Sequence, residues 1–167
     1  MLASYLATIL SRDLRALRRE VEAYPDDASL WRTVPTIPNA AGTLVLHLAG
    51  NLQHFIGAEL GKSGYVRDRE AEFSKRDVPR AELLGEIDAA EAAISATMPR
   101  LTDADMDVMY PSPIAQRRVK TADMLIHLAT HLTYHLGQID YHRRGVVGDA
   151  KSVGVVSPAE LHSAIPA

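Results

Sequence analysis

No cysteine occurs in the 167 residues, so the chain has no disulfide framework, no thiolate nucleophile and no sulfur-ligated metal cluster. Thiol chemistry, if the protein performs any, must draw its sulfur from a bound molecule. Neither sign of charge dominates, since 18 basic and 21 acidic residues are mixed along the chain for a net charge of -3. With no basic stripe to follow phosphates, nucleic acid is not an expected partner. No apolar run approaches membrane-spanning length, and Ser11, Arg12, Asp13 and Arg15 interrupt the apolar N-terminal stretch before it can form a signal-peptide core. A cytoplasmic location without a membrane partner is the expectation. Convincing alternating strand segments, internal repeats and low-complexity tracts are missing too, and no break in composition marks a second domain. One domain spanning 1–167 is expected. A chain of this length can bury a full core unaided, so a bound metal would serve function first.

What remains is helical periodicity. Leu6, Ile9, Leu10, Leu14, Leu17, Val21 and Tyr24 recur at helical spacing and stop before Pro25-Asp26-Asp27, a turn. A proline-punctuated connection follows through Trp31, Pro35 and Pro38, with Trp31 read as an anchor over one bundle end or a pocket wall. Asn39 suits the N-cap of a second helix that ends near Gly61 and places His47, Asn51, His54 and Ala58 on one face. The charged stretch 62–78 is too polar for a core element and reads as a loop. Pro79 opens a third helix whose apolar stripe is Leu83, Ile87, Ile94, Met98 and Leu101. After a connection over 102–120, Thr121 caps a fourth helix ending at Gly145, with Leu125, Leu128, Leu132, Leu136 and Ile139 on its apolar side. The tail 145–167 is weakly patterned. Four amphipathic helices predict an all-α four-helix bundle, a fold that commonly builds polar sites from facing interior side chains.

The fourth helix carries the densest chemistry. His127, His131 and His135 stand at i, i+4 and i+8 on one face, with Gln138 and His142 continuing the stripe. Imidazole is the commonest protein ligand for divalent transition metals, and two of them one turn apart can grip one ion from a single rigid element. His47, set among leucines, is the best donor of a further ligand from another helix. Spacing alone does not separate a His127/His131 pair from a His131/His135 pair. Leu128 and Leu132 stand where the helix of zinc proteases carries its glutamate base, and no Glu-x-x-His of the ferritin-like diiron type occurs. A three-histidine site would keep the full charge of the ion and leave positions open for water or substrate. Zinc or nickel is the expected ion, although three imidazoles also accept copper or iron.

The run Gly42-Thr43-Leu44-Val45-Leu46-His47-Leu48-Ala49-Gly50-Asn51-Leu52, followed downstream by His131-Leu132-Thr133-Tyr134-His135-Leu136-Gly137-Gln138-Ile139, resembles the DinB/YfiT-like superfamily of metal-dependent proteins. The likeness extends through Trp31 and the stretch from Arg67 to Phe73, and so covers most of the chain up to Arg144. The resemblance implies a four-helix bundle, often a homodimer, with a divalent ion bound by His47, His131 and His135. It leaves His127 outside the ligand set, to pack or hydrogen-bond nearby. Several such relatives act as thiol S-transferases or isomerases that use a low-molecular-weight thiol, with the metal holding the sulfur as thiolate, whereas many others have no known activity.

The surrounding residues have plainer readings as well. Asn51 satisfies local polar groups or orients a ligand histidine. Gln138 hydrogen-bonds across the bundle, Gly137 permits close helix packing, and His54 and His142 are hydrogen-bonded core residues unless they join the site. Arg67 and Arg69 are solvated loop charges, or a clamp for the carboxylates of a peptide-like thiol. Tyr134 lies off the histidine face and suits packing or an interface. The segment 153–157 is either disordered or docked on a dimer partner, and His162 is expected to stand apart from the site. No carboxylate shares the histidine face of either helix, though Glu59, Glu70 and Glu72 can approach by folding. Three functions therefore compete: a metal-dependent transferase acting on a small-molecule substrate with a thiol, a non-catalytic metal-binding or stress-related bundle, and a metal-dependent hydrolase, which would need a general base.

Overall fold

Each apolar stripe becomes a core-facing helix side in the computed structural model, which describes residues 2–153 and 156–166. The described residues are helical with no strand among them. Helix α1 (Leu2–Glu22) buries Leu6, Leu10, Leu14, Leu17 and Val21. Short α2 (Asp27–Trp31) follows, its first turn capped by Asp26, whose carboxylate accepts the Ser29 N–H at 2.8 Å. Helix α3 (Ala41–Leu52) runs on into a π turn (Gln53–Ala58). Then come α4 (Arg69–Ser74), α5 (Arg80–Thr97), α6 (Asp103–Asp107) and α7 (Thr121–Val147). No helix among the described residues is long and apolar enough to cross a membrane.

The four long helices pack in the cyclic order α1, α5, α3, α7, so that α1 touches α5 and α7 while α3 touches the same two from the other side. Only the connection between α3 and α5 therefore joins neighbours. The proline-containing segments 23–40 and 101–120 cross the bundle diagonally, which departs from simple up-and-down order.

Three differences from the periodicity reading have local causes. The loop expected over 62–78 contains α4, because Asp68 accepts the Ala71 N–H at 2.9 Å and starts a helix of only six residues. Helices α2 and α6, at five residues each, are shorter still and are also capped; α6 has a capping box between Thr102 and Asp105. None is long enough to show a period. The fourth helix does not stop at Gly145: it continues to Val147 and ends on Gly148, the residue in the left-handed region at φ 74° that a C-cap requires. Lys120 and Ala40, rather than Thr121 and Asn39, hold the N-cap positions of α7 and α3.

Trp31 is buried, lies over Gly42 so closely that a Cβ there would come within 2.6 Å of its ring, and donates from Nε1 to the Val78 carbonyl at 3.0 Å. Of the segment 153–157, Gly154 and Val155 lie outside the described residues. On either side the tail is held to α1: Arg19 donates to the Val153 carbonyl at 3.1 Å, Arg15 pairs with Glu160 at 2.8 Å, and His162 meets Thr8 at 3.4 Å.

Candidate metal centre

Every residue of α3 from Ala41 to Leu52 is buried. A helix apolar on all sides is one enclosed on all sides, and α5, α7, α4 and α2 supply the cover. His47 is thereby fixed in the interior, 8% exposed, facing the histidine stripe of α7. Its Nε2 lies 3.3 Å from the Nε2 of His131. His135, one turn further along α7, completes the group, with one nitrogen from each of the three rings lying within 4.8 Å of the others. The ring centroids of His131 and His135 are 4.6 Å apart and those of His47 and His135 5.5 Å.

A carboxylate stands behind His47. Glu72 on α4 places Oε2 3.1 Å from His47 Nδ1, and Arg67 closes a fork on the same carboxylate with Nε 2.6 Å from Oε1 and an Nη 2.8 Å from Oε2. Burial pushes the Glu72 carboxyl up, but the hydrogen bonds and charges of Arg67 and His47 outweigh it and hold the group below the usual carboxylate range. An ionised carboxylate can only accept, so His47 must carry its proton on Nδ1 and present a bare Nε2 lone pair to the cluster. Gly50 makes the approach possible. A Cβ at that position would collide with Glu72 Oε1.

His135 is oriented from its own helix, its Nδ1 lying 2.6 Å from Gln138 Oε1. With that oxygen as acceptor, Nδ1 carries the proton and Nε2 is again a lone pair. Burial pulls His135 below the ordinary imidazole value against the Gln138 hydrogen bond, with a further contribution from His47. His131 is drawn down to about 4, first by burial and then by the charges of His135, His47, His127 and Arg67. Burial thus disfavours the charged form of His131 and His135, and one nitrogen from each of the three rings faces the others, a donor set suited to a divalent transition metal. Asn51, one turn after His47 and 8% exposed, has an Oδ1 that is buried without a hydrogen-bond partner among the described residues.

Other candidates fall elsewhere. His127 is exposed, its ring 5.7 Å from that of His131. His54 lies in the π turn with its ring against Phe55, and its Nδ1 is also buried and unpartnered. His142 is a hydrogen-bonded core residue between Tyr24 Oη at 2.7 Å and the Arg32 carbonyl at 2.8 Å. Arg67 is half-buried in its pairing with Glu72 rather than a free loop charge, whereas Arg69 is exposed over the Phe73 ring at 5.0 Å. Gly137 does not serve close packing, because a Cβ there would meet nothing within 4 Å. Glu59 accepts from Ser112 Oγ at 2.7 Å and Glu70 is exposed, which leaves Glu72 as the carboxylate at the histidines. The sequence offers Arg67 and Glu72 as separate candidates, but their pairing on α4 is not legible in a stretch 62–78 that reads as a loop; the Asp68 cap followed by Glu70 and Glu72 in the first turn is the available signal.

Replacing Glu72 with Gln is expected to weaken zinc or nickel binding by about 10- to 100-fold, the usual cost of disturbing the partner of a ligand histidine. Competition against a chromophoric chelator measures it. Unchanged affinity would show that Glu72 serves only to neutralise Arg67.

Beside His135 a cavity of about 610 Å³ opens between the 34–39 turn and α7. Comparison with known proteins adds the family. No protein of curated function matches the chain. The family model of the DinB superfamily matches residues 9–139, a span that takes in His47 on α3, His131 and His135 on α7, and the Glu72 that braces the first of them. Matched over far more than half its length, the chain belongs to the DinB superfamily.

Proposed function

We propose that the protein binds one divalent transition-metal ion, zinc or nickel, through His47, His131 and His135, and that it uses the ion for transfer chemistry on a low-molecular-weight thiol. The observation that carries this reading is the convergence of the three imidazoles within 4.8 Å, two of them with proton positions fixed by Glu72 and Gln138 so that Nε2 is bare. A bound cation of this kind lowers the pKa of a coordinated thiol and supplies it as thiolate. The chain's own residues hold the ion, set the tautomers and exclude water on the α3 side. Hydrolysis is less well supported, since both oxygens of Glu72 are engaged by Arg67 and His47 and neither is placed as a general base. A purely stiffening ion would suit a closed site, whereas here a cavity reaches His135. We also take the protein to be a single-domain homodimer.

Cobalt(II) substitution tests the reading. Titrating cobalt into chelator-treated protein should give visible bands of a low-coordinate site at one ion per chain, and adding 2-mercaptoethanol should produce a thiolate-to-cobalt charge-transfer band. Cobalt bands indifferent to the thiol would leave a metal-binding bundle without this chemistry. No cobalt bands at all would remove the metal site.

A further inference from the structure

We propose that the cavity beside His135 receives an uncharged aromatic group of the substrate, so that the reaction takes place on a neutral, apolar molecule rather than on an anion. This rests on the metal-dependent reading of the three histidines for its chemistry, but the cavity stands on observations of its own. One wall is the 34–37 turn with Pro38 and Leu44, presenting Val34, Ile37, Pro38 and Leu44; the other is α7, presenting Tyr134 and Tyr141. Not one Asp, Glu, Lys or Arg lines it. Its volume of about 610 Å³ falls within the range of small-molecule sites.

The polar side chains that reach the cavity are uncharged: Thr36, Asn39, Gln138 and the two tyrosines stand beside the two histidines. Both nitrogens of His142 are used, by Tyr24 and by the Arg32 carbonyl, and Gln138 Oε1 is used by His135. Arg144, whose guanidinium lies 5.9 Å from the Tyr141 ring centroid, is paired with Asp140 at 3.0 Å. A carboxylate or sulfonate held against these walls, on the side away from the histidine cluster, would lose its hydration and gain no cationic side chain in return. An aromatic group loses nothing comparable. It would also cover Ile37 and Tyr141, which stand 46% and 77% exposed. The ring of Tyr134 is edge-on to that of His135 at 5.1 Å, so a group held against this tyrosine sits next to one of the three histidines.

A matched pair of dyes separates charge from shape: N-phenyl-1-naphthylamine is neutral, and 8-anilinonaphthalene-1-sulfonate has the same rings with a sulfonate. In chelator-treated protein the neutral dye is expected to bind with enhanced fluorescence, and the anionic dye at least about tenfold more weakly. Ile37→Glu and Tyr141→Glu, both at exposed positions where folding tolerates a charge, should each weaken the neutral dye by about tenfold or more with circular dichroism unchanged. His131→Ala, whose side chain does not line the cavity, should bind the dye as wild type does, whatever becomes of its metal. Loss of metal sites together with retained dye binding would thus discredit the metal reading alone. The cavity proposal is overturned if the neutral dye does not bind, if both glutamate variants bind it like wild type, or if the anionic dye binds equally well.

Discussion

His131→Ala, expressed and purified without added metal, is expected to contain no zinc or nickel by elemental analysis, and wild type is expected to carry close to one ion per chain. His131 is the central member of the group. Its Nε2 lies 3.3 Å from that of His47 and its ring 4.6 Å from that of His135, so its removal leaves two ligands on separate helices with nothing between them. Losing a direct ligand should cost more than the roughly 10- to 100-fold typical of disturbing an outer partner. The two states of the protein should also respond in opposite ways. Burial of the His131 imidazole and its neighbours' charges pull its pKa to about 4, so protonation of the unfolded chain's imidazole works against the fold as pH falls below the usual histidine range. Between about pH 7 and pH 5, chelator-treated His131→Ala should therefore lose less thermal stability than chelator-treated wild type. With saturating zinc only wild type should gain, because a ligand bound to the folded state alone stabilises by mass action. A stoichiometric ion surviving in the variant would remove His131 from the ligand set.

Arg143→Ala is expected to destabilise the fold by about 3–5 kcal/mol, the cost of stranding one member of a buried ion pair. The guanidinium is 2% exposed and donates to Glu20 Oε2 at 2.5 Å, to the Lys151 carbonyl at 2.8 Å and to Asp140 at 3.4 Å. Glu20 itself has no exposed surface, and its Oε1 already lacks a hydrogen-bond partner among the described residues. Without Arg143 the carboxylate would be left in the core with no counter-charge, and the chain after Gly148 would lose a tether. Urea denaturation reads the effect. The double replacement Glu20→Leu with Arg143→Met should recover most of the loss, since a well-packed apolar pair often replaces a buried ion pair at no cost. If Arg143→Ala alone unfolds at the wild-type urea concentration, the pair contributes nothing and the tail is held by other contacts.

The bundle and the three histidines were legible because both rest on period. Leu125, Leu128, Leu132, Leu136 and Ile139 repeat on one side of α7 and all are buried, and the histidines follow from the same arithmetic one stripe over. Period says nothing of segments shorter than two turns. Helix α4 spans six residues, and its inward Glu72 is buried only because Arg67 neutralises it and Gly50 makes room, a three-body arrangement between residues 50 and 72 that no local pattern encodes. The family resemblance chose His131 and His135 over His127 and His131; in the structure the reason is visible in the exposure of His127. Gly145 looked like a helix end because any glycine near one does, yet the left-handed residue is Gly148. The diagonal order of the helices depends on which faces are widest, and α3, buried along its whole length, left no polar side to point outward.

The π turn over Gln53–Ala58 closes the element that α3 begins. Its bonds reach five residues back, from Glu59 to the His54 carbonyl and from Gly61 to the Ile56 carbonyl, both at 2.9 Å. The two halves of the element, α3 and the π turn, consequently keep separate phases. The leading half answers to the histidines. The trailing half answers to α5, where Gly57 comes close to Ala93, and to Tyr110, whose hydroxyl bonds the Phe55 carbonyl at 2.5 Å. Sequence change in one half need not be answered in the other, and deleting a single residue between 53 and 58 would turn the trailing half while His47 and Asn51 kept their register. The element is a joint between two independently variable surfaces, and a descendant of this chain could remodel the bundle end without disturbing the centre.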